Sequence, residues 1–356
     1  MEKKSGFKSF LERKNIEVSA KVYLIDAMSA MAQGLFASLL IGTILATLGE
    51  KLGIQIMVTA GTYAKAVTGP AMAISIGYAL HCPNLVLFCL AAVGQAANEL
   101  GGAGGPLAVL IIAIITAEVG KAISKETKID ILVTPAVTIL VGTILSVLCA
   151  PGLGKAASSF GQLVMWATEL QPFFMGILVS VLVGIALTLP ISSAAICAAL
   201  SLTGLAGGAA VAGCCAQMVG FAVMSFKENK VSGLVAQGIG TSMLQMGNIV
   251  KNPKIWIAPI LTSAITGPLA TCLFKFKMNG AAVASGMGTC GFVGQIGVYT
   301  GWVNDISEGT KTAITAFDWI GLVLICFVLP AVLTCIFGQI FRKIGWIKEN
   351  DLKLDL

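Results

Sequence analysis

Stretches of about 20 predominantly apolar residues recur from about residue 22 to residue 341, separated only by short polar runs. A helix must present roughly that length of apolar side chains to cross the hydrocarbon layer of a bilayer. About ten such stretches are present, near 23–49, 54–80, 84–100, 105–122, 130–150, 172–190, 192–224, 231–250, 255–274 and 314–341. The sequence therefore predicts an all-α polytopic membrane protein of about ten transmembrane helices plus re-entrant segments.

Composition supports this reading. Hydrophobic residues make up 56% of the 356 and charged residues 11%, and mean hydropathy is +0.91. No polar block is large enough to fold separately, so the chain divides into an amphipathic lead (1–21), a first transmembrane half (22–150), a connecting loop (151–171), a second half (172–341) and a tail (342–356). The lead carries both Glu and Lys along its length and does not read as a signal peptide. With 41 Gly and only 7% aromatics, helices can approach closely where van der Waals packing replaces the hydrophobic effect.

The net charge of +6 sits in tails and short loops, which fits membrane orientation and not nucleic-acid binding. Lys3, Lys4, Lys8, Arg13, Lys14 and Lys21, then Lys121, Lys125 and Lys128, then Arg342 and Lys343 are expected on the cytoplasmic side. Ten crossings place both termini there if the stretch Gly280 to Thr300 dips in and returns. Lys227 and Lys230 then fall outside, against the rule.

Each half holds five apolar segments, and an odd number forces opposite topology, the inverted-repeat plan of many secondary transporters. The third segment of the first half carries Gln95, Asn98 and Glu99, separated by three and four residues and so on one helical face, just before the run Gly101 to Gly105 breaks the helix. The third segment of the second half carries Ser242, Gln245 and Asn248 in a similar stripe. Either set suits the hydroxyls of a sugar-like solute. Solvation of Glu99 in an early loop, or hydrogen bonds between Gly-rich helices, are the plainer readings.

In Thr188-Leu-Pro-Ile-Ser-Ser193, Pro190 should end one helix and Ser192 or Ser193 cap the next. The run Gly286-Met-Gly-Thr-Cys-Gly291 matches GxGxxG but lacks a βαβ context. A re-entrant loop in which Thr289 and Gln295 line a path is the better use of it. Asp26, Lys65, Glu118 and Asp318 are charges inside apolar segments, each expected near an interface or in a pair. Lys65 with Glu99 or Asp26 is one such pair. The ten cysteines show no CxxC spacing and read as reduced packing residues. His81 is the single histidine. No catalytic set, metal site, cofactor or ATP-binding loop is expected.

Thr188-Leu-Pro-Ile-Ser-Ser-Ala-Ala-Ile196, Leu234-Val-Ala-Gln-Gly-Ile-Gly-Thr-Ser-Met-Leu-Gln245, Asn248-Ile-Val-Lys-Asn-Pro-Lys-Ile-Trp-Ile257, Gly267-Pro-Leu-Ala-Thr271 and the run Gly286 to Gly297 together resemble the phosphotransferase-system (PTS) EIIC-like membrane family, which includes the PfoR-type toxin regulators. The resemblance covers nearly the whole chain. It implies a sugar-conducting membrane subunit, a homodimer with an elevator-like moving core, that hands solute to cytoplasmic phosphoryl carriers. No IIA or IIB domain is visible in the chain, so those carriers are expected as separate proteins. The buried Glu and His of the glucose and lactose branches have no match. Two rivals remain open: a membrane sensor that regulates gene expression, and a gradient-driven carrier of a small organic anion using Lys65 and the helix start at Ser192.

Overall fold

The computed structural model describes residues 6–354; the expected basic residues Lys3 and Lys4 lie outside them, and the side chain of Lys8 is likewise not described. Among the described residues the regular secondary structure is all helical, apart from a single antiparallel bridge between Gly204 and Met278. In chain order the helices are α1 (Gly6–Arg13), α2 (Val22–Leu52), α3 (Gln55–Ala66), α4 (Thr68–Ala79), α5 (Asn84–Gly101) and α6 (Gly105–Ile123). There follow α7 (Asp130–Thr168), α8 (Pro172–Thr188), α9 (Ser193–Ala199), α10 (Gly204–Met224), α11 (Phe226–Val235) and α12 (Met246–Lys251). Last come α13 (Pro253–Leu273), α14 (Val293–Ser307) and α15 (Ala316–Lys343).

Among the described residues, six apolar helical runs are long enough to cross a membrane: Val22–Leu52, Asn84–Ile123, Asp130–Thr168, Gly204–Met224, Pro253–Leu273 and Ala316–Lys343. The second of these is a hairpin. Gly102 takes φ +50° between α5 and α6, Gly105 lies against Asn98, and Gly120 lies against Val86, so the chain turns back on itself. The glycine run breaks the helix as expected, because only Gly adopts that backbone without strain. α8 is apolar but shorter.

The chain forms two compact units. One comprises residues 1–39 and 63–155, the other residues 40–62 and 156–356. They do not follow the expected halves, since 40–62 belongs to the second unit. The expected connecting loop 151–171 is also replaced: α7 runs through Pro151 as far as Thr168. Its 39 residues span roughly 58 Å, well beyond the hydrocarbon thickness. Large side chains such as Ile131, Leu140, Ile144 and Leu148 on α7, and Ile320, Val332 and Ile336 on α15, are exposed. Apolar outward faces are what a hydrocarbon surround demands.

In the first unit, glycines set the helix spacing. A Cβ on Gly69 would collide with the carbonyl of Gly94, and one on Gly34 would meet Ala71 O at 2.6 Å.

In the second unit α10 is almost wholly buried and is the element around which the others pack. A Cβ on Gly213 would fall on the Ser180 carbonyl of α8, and one on Gly267 of α13 would fall on the Gly176 carbonyl. Ser180 Oγ donates to Ser263 O at 2.7 Å across the same crossing. Two segments expected as continuous helices are interrupted. The stretch 192–224 breaks at Leu200–Thr203 into α9 and α10, and 231–250 passes from α11 through a π turn and a 3-10 turn into α12.

One end of this unit gathers cations that the expected topology had split. Arg342 Nη2 donates to Glu228 Oε1 at 2.7 Å, and Lys227 Nζ lies 3.9 Å from Glu349. The start of α11 therefore meets the C-terminal segment, and Lys227 and Lys230 lie at the same end as Arg342 and Lys343.

Candidate functional site

The second unit contains a buried polar network centred on Gln217, on α10, which is fully buried. Trp256 Nε1 donates to Gln217 Oε1 at 2.9 Å, Thr188 Oγ1 reaches the same atom at 3.4 Å, and Gln217 Nε2 donates to Ser263 Oγ at 3.4 Å. Thr188 and Ser242 share a hydroxyl–hydroxyl bond of 2.8 Å. Buried polar groups must be paired in this way. Gln217→Leu removes the only acceptor shown for Trp256 Nε1, and a loss of about 1–3 kcal/mol is expected, to be read as a fall in melting temperature of the detergent-purified protein.

Beside this network, two irregular segments meet. α8 ends at Thr188, and Ser192 caps α9 by accepting from Ala195 N at 3.1 Å, as Pro190 and the following serines predicted. The other segment holds short 3-10 turns at Ala282–Gly286 and Cys290–Phe292, with Gly288 at φ +53° and Gly291 at φ +51°. Ser193 Oγ donates to Gly286 O at 2.7 Å, and a Cβ on Gly286 would meet the Ser193 backbone at 2.6 Å. The glycines of the GxGxxG run thus serve close backbone packing.

Thr289 is fully buried and donates to Met218 Sδ at 3.5 Å. Gln295, in the first turn of α14, is 7% exposed and donates through Nε2 to Cys215 Sγ at 3.3 Å. Its Oε1 is buried and has no hydrogen-bond partner among the described residues.

The stripe Ser242, Gln245, Asn248 divides. Ser242 joins the Gln217 network, whereas Gln245 and Asn248 hold the C-terminal segment. Gln245 Nε2 donates to Leu352 O at 3.0 Å and to Gln237 Oε1 at 2.9 Å. Asn248 Nδ2 donates to Lys353 O at 2.8 Å and to Gln245 Oε1 at 2.9 Å. Asn229 bonds both Leu352 O (2.7 Å) and Leu354 N (2.8 Å), and Asn252 bonds Trp346 O (2.9 Å) and Asp351 (2.7 Å). The tail is thus packed, with Ile347 and Leu352 buried. Trp346 stacks on Phe341 at 5.2 Å and has Lys254 Nζ 5.7 Å from its ring.

In the first unit, Gln95 Nε2 donates to Glu99 Oε1 at 2.5 Å, so these two share a helical face as their spacing predicted. Asn98 packs against Gly69 and Gly105, and Glu99 is exposed. Lys65 is also exposed, and no ion pair joins it to Asp26 or Glu99 among the described residues. Two other segment charges are paired as expected. Lys121 Nζ lies 2.9 Å from Glu118 Oε2, a charge contact without hydrogen-bond alignment. Asp318 meets Lys311 at 2.8 Å and forms a capping box with Thr315.

All ten cysteines are free; six are buried, while Cys149 and Cys272 are exposed. Burial pushes the Cys82 thiol up to about 12, which keeps it protonated and poorly nucleophilic.

Sequence reasoning missed Gln217, Trp256, Asn229 and Gln237. A lone Gln inside the otherwise apolar α10 was the available signal for the first. Asn229 finds its partners more than 100 residues away and Gln237 finds its own within 12 residues on either side, and neither carries a local signature.

The described residues form a polytopic helical chain with six runs long and apolar enough to cross a membrane and with interrupted segments in its interior. The chain belongs to the phosphotransferase system EIIC family: that family's model matches residues 25–354, and the protein is thus a PTS-type membrane transporter component. Searches of curated proteins and of solved structures give no match.

Proposed function

We propose that this chain is the solute-conducting subunit of a phosphotransferase system, moving a sugar or sugar-like solute by alternating access. It works with separate IIA and IIB phosphoryl carriers, as a homodimer in the cell membrane. Both termini are cytoplasmic in this reading: Lys227, Lys251, Lys254, Arg342 and Lys343 gather at one end of the second unit beside the C-terminal segment, and Arg13, Lys14, Lys121 and Lys125 gather in the first beside the N-terminal one. The inverted-repeat plan and the count of about ten crossings are part of the same proposal. The α5–α6 hairpin supports it by dividing one long apolar run into two.

We place the solute-binding groups in the second unit, where interrupted helices free hydrogen-bonding groups in an apolar interior. Ser192, Ser193, Ser242 and Thr289 border this region, and Gln295 supplies the observation that carries the reading. A buried amide end without a partner costs about 1–3 kcal/mol, and a solute hydroxyl satisfies it. Gln245 and Asn248 act instead as anchors for the C-terminal segment, and Gln95, Asn98 and Glu99 form a secondary polar face. Nothing favours the anion-carrier reading, because Lys65 is exposed and the helix behind Ser192 has only 7 residues.

The test is thermal-shift stabilisation of the purified protein by a panel of sugars, repeated with Gln295→Met. One sugar class should stabilise the native protein. The variant should keep or raise the unliganded melting temperature and bind that sugar about fivefold or more weakly, the equivalent of one hydrogen bond of about 1 kcal/mol. An unchanged sugar response in the variant removes Gln295 from the site, and a response to anions alone overturns the sugar reading.

A further inference from the structure

The first unit carries a second feature that sugar transport does not use. A surface-open cavity of about 330 Å³ is lined by Arg13, Lys14, Lys121 and Lys125, with Glu126 as its one carboxylate; His81 and Asn15 complete the wall. The lining residues come from the end of α1, the α4–α5 turn and the α6–α7 loop, far apart in sequence. They converge through specific bonds. Lys14 Nζ donates to Ser124 O at 2.5 Å, and Lys121 Nζ donates to Asn15 O at 2.8 Å and Leu80 O at 3.0 Å. The side chains of Lys14 and Lys121 are only 8% and 2% exposed, so this is a built cationic site and not a solvated basic face.

Three of its wall residues hold left-handed backbone without being glycine: Asn15 (φ +54°), His81 (φ +55°) and Lys125 (φ +62°). Each follows a helix end, where left-handed backbone closes the last turn, so these caps fix the shape of the wall. Glu126 Oε1 meets Arg13 at 2.9 Å and also contacts Lys14. The Lys14 hydrogen bond, ahead of the other charges, holds the Glu126 carboxyl below the usual glutamate range. Glu126 is itself exposed, so a solvent-accessible carboxylate paired with Arg13 and Lys14 occupies the position where an external anion would sit.

The level of the cavity identifies the anion. Pro83 precedes the apolar run Asn84–Ile123, and Lys125 and Glu126 lie between its end and the start of Asp130–Thr168, so the cavity sits at the ends of membrane-spanning helices, where headgroups lie. α1 adds an amphipathic helix at the same level, with Phe10 beneath Arg13 (5.5 Å) and Lys14 (5.9 Å). A short amphipathic helix with basic residues beside a span is suited to an anionic interface.

We infer that this cavity binds the phosphodiester headgroup of an anionic membrane lipid, with Arg13, Lys14 and Lys125 on the phosphate oxygens and Glu126 displaced from them. The test compares melting temperatures of the full chain in detergent supplemented with phosphatidylglycerol, phosphatidylcholine, inorganic phosphate or a sugar phosphate. Phosphatidylglycerol should stabilise by several degrees more than phosphatidylcholine, and added salt should weaken the difference. Arg13→Gln and Lys125→Gln, both at exposed positions, should each at least halve it, while Glu126→Gln should lower the half-saturating lipid concentration about threefold or more by removing the competing carboxylate. Equal stabilisation by the two lipids overturns the inference. So does full reproduction of the shift by inorganic phosphate or sugar phosphate, or a weaker lipid response in Glu126→Gln.

Discussion

Gly213→Val is expected to cost more than about 3 kcal/mol, the upper end of overpacking penalties, and to abolish a monodisperse peak on size exclusion. The added Cβ falls on the carbonyl of Ser180, which is backbone and cannot swing aside, so α8 and α10 must separate. Separation also breaks the Ser180–Ser263 bond of 2.7 Å and disturbs the Gln217 network one turn further along α10. The matched control is Gly152→Ala, inside α7, where an added Cβ meets nothing within 4 Å. That change should be neutral or stabilise by about 0.5–1 kcal/mol, through the better helix propensity of alanine. Melting temperatures of the two variants in one detergent check both halves of the expectation.

Leu352→Ala is expected to destabilise by about 2–5 kcal/mol, as for a core leucine, although only four residues follow it in the sequence. Leu352 is fully buried, and its carbonyl accepts from both Asn229 and Gln245. Losing the side chain loosens the segment that satisfies those amides and Asn248. Limited proteolysis should then cut after Lys348 or Lys353 far faster than in the native protein. A solvated tail would give a change within about 0.5 kcal/mol and the same cleavage rate in both proteins.

These two cases also mark what could be read in the sequence. Local punctuation was legible: the break at Gly101–Gly105, the end of α8 before Pro190 and the cap at Ser192 each follow from the backbone limits of Gly, Pro and Ser acting over a few residues. The same logic failed at Pro151, Gly152 and Gly154, where the signals of a loop stand inside α7. Tertiary packing overrides propensity in such places.

The candidate site was legible only as a set of polar residues in apolar surroundings. Ser193, Ser242, Thr289 and Gln295 do lie buried in the second unit, but their partners were not readable. Gln245 and Asn248 have the spacing of a solute-binding stripe, yet their acceptors are the carbonyls of Leu352 and Lys353, more than 100 residues downstream. Spacing reports which side chains share a face and says nothing of what covers it. Charges showed the same limit: Asp318 pairs with Lys311 seven residues before it, a local partner, whereas the basic cavity of the first unit assembles from three distant segments.

The most direct test of the central claim is sugar counterflow in proteoliposomes that contain the purified chain and no phosphoryl carriers. Labelled sugar of the class found by thermal shift should accumulate transiently against unlabelled internal sugar, and Gln295→Met should slow it about fivefold or more at subsaturating sugar. Counterflow that is absent for every sugar while the protein remains folded, or that proceeds unchanged in the Gln295 variant, contradicts a sugar path through the interrupted segments of the second unit.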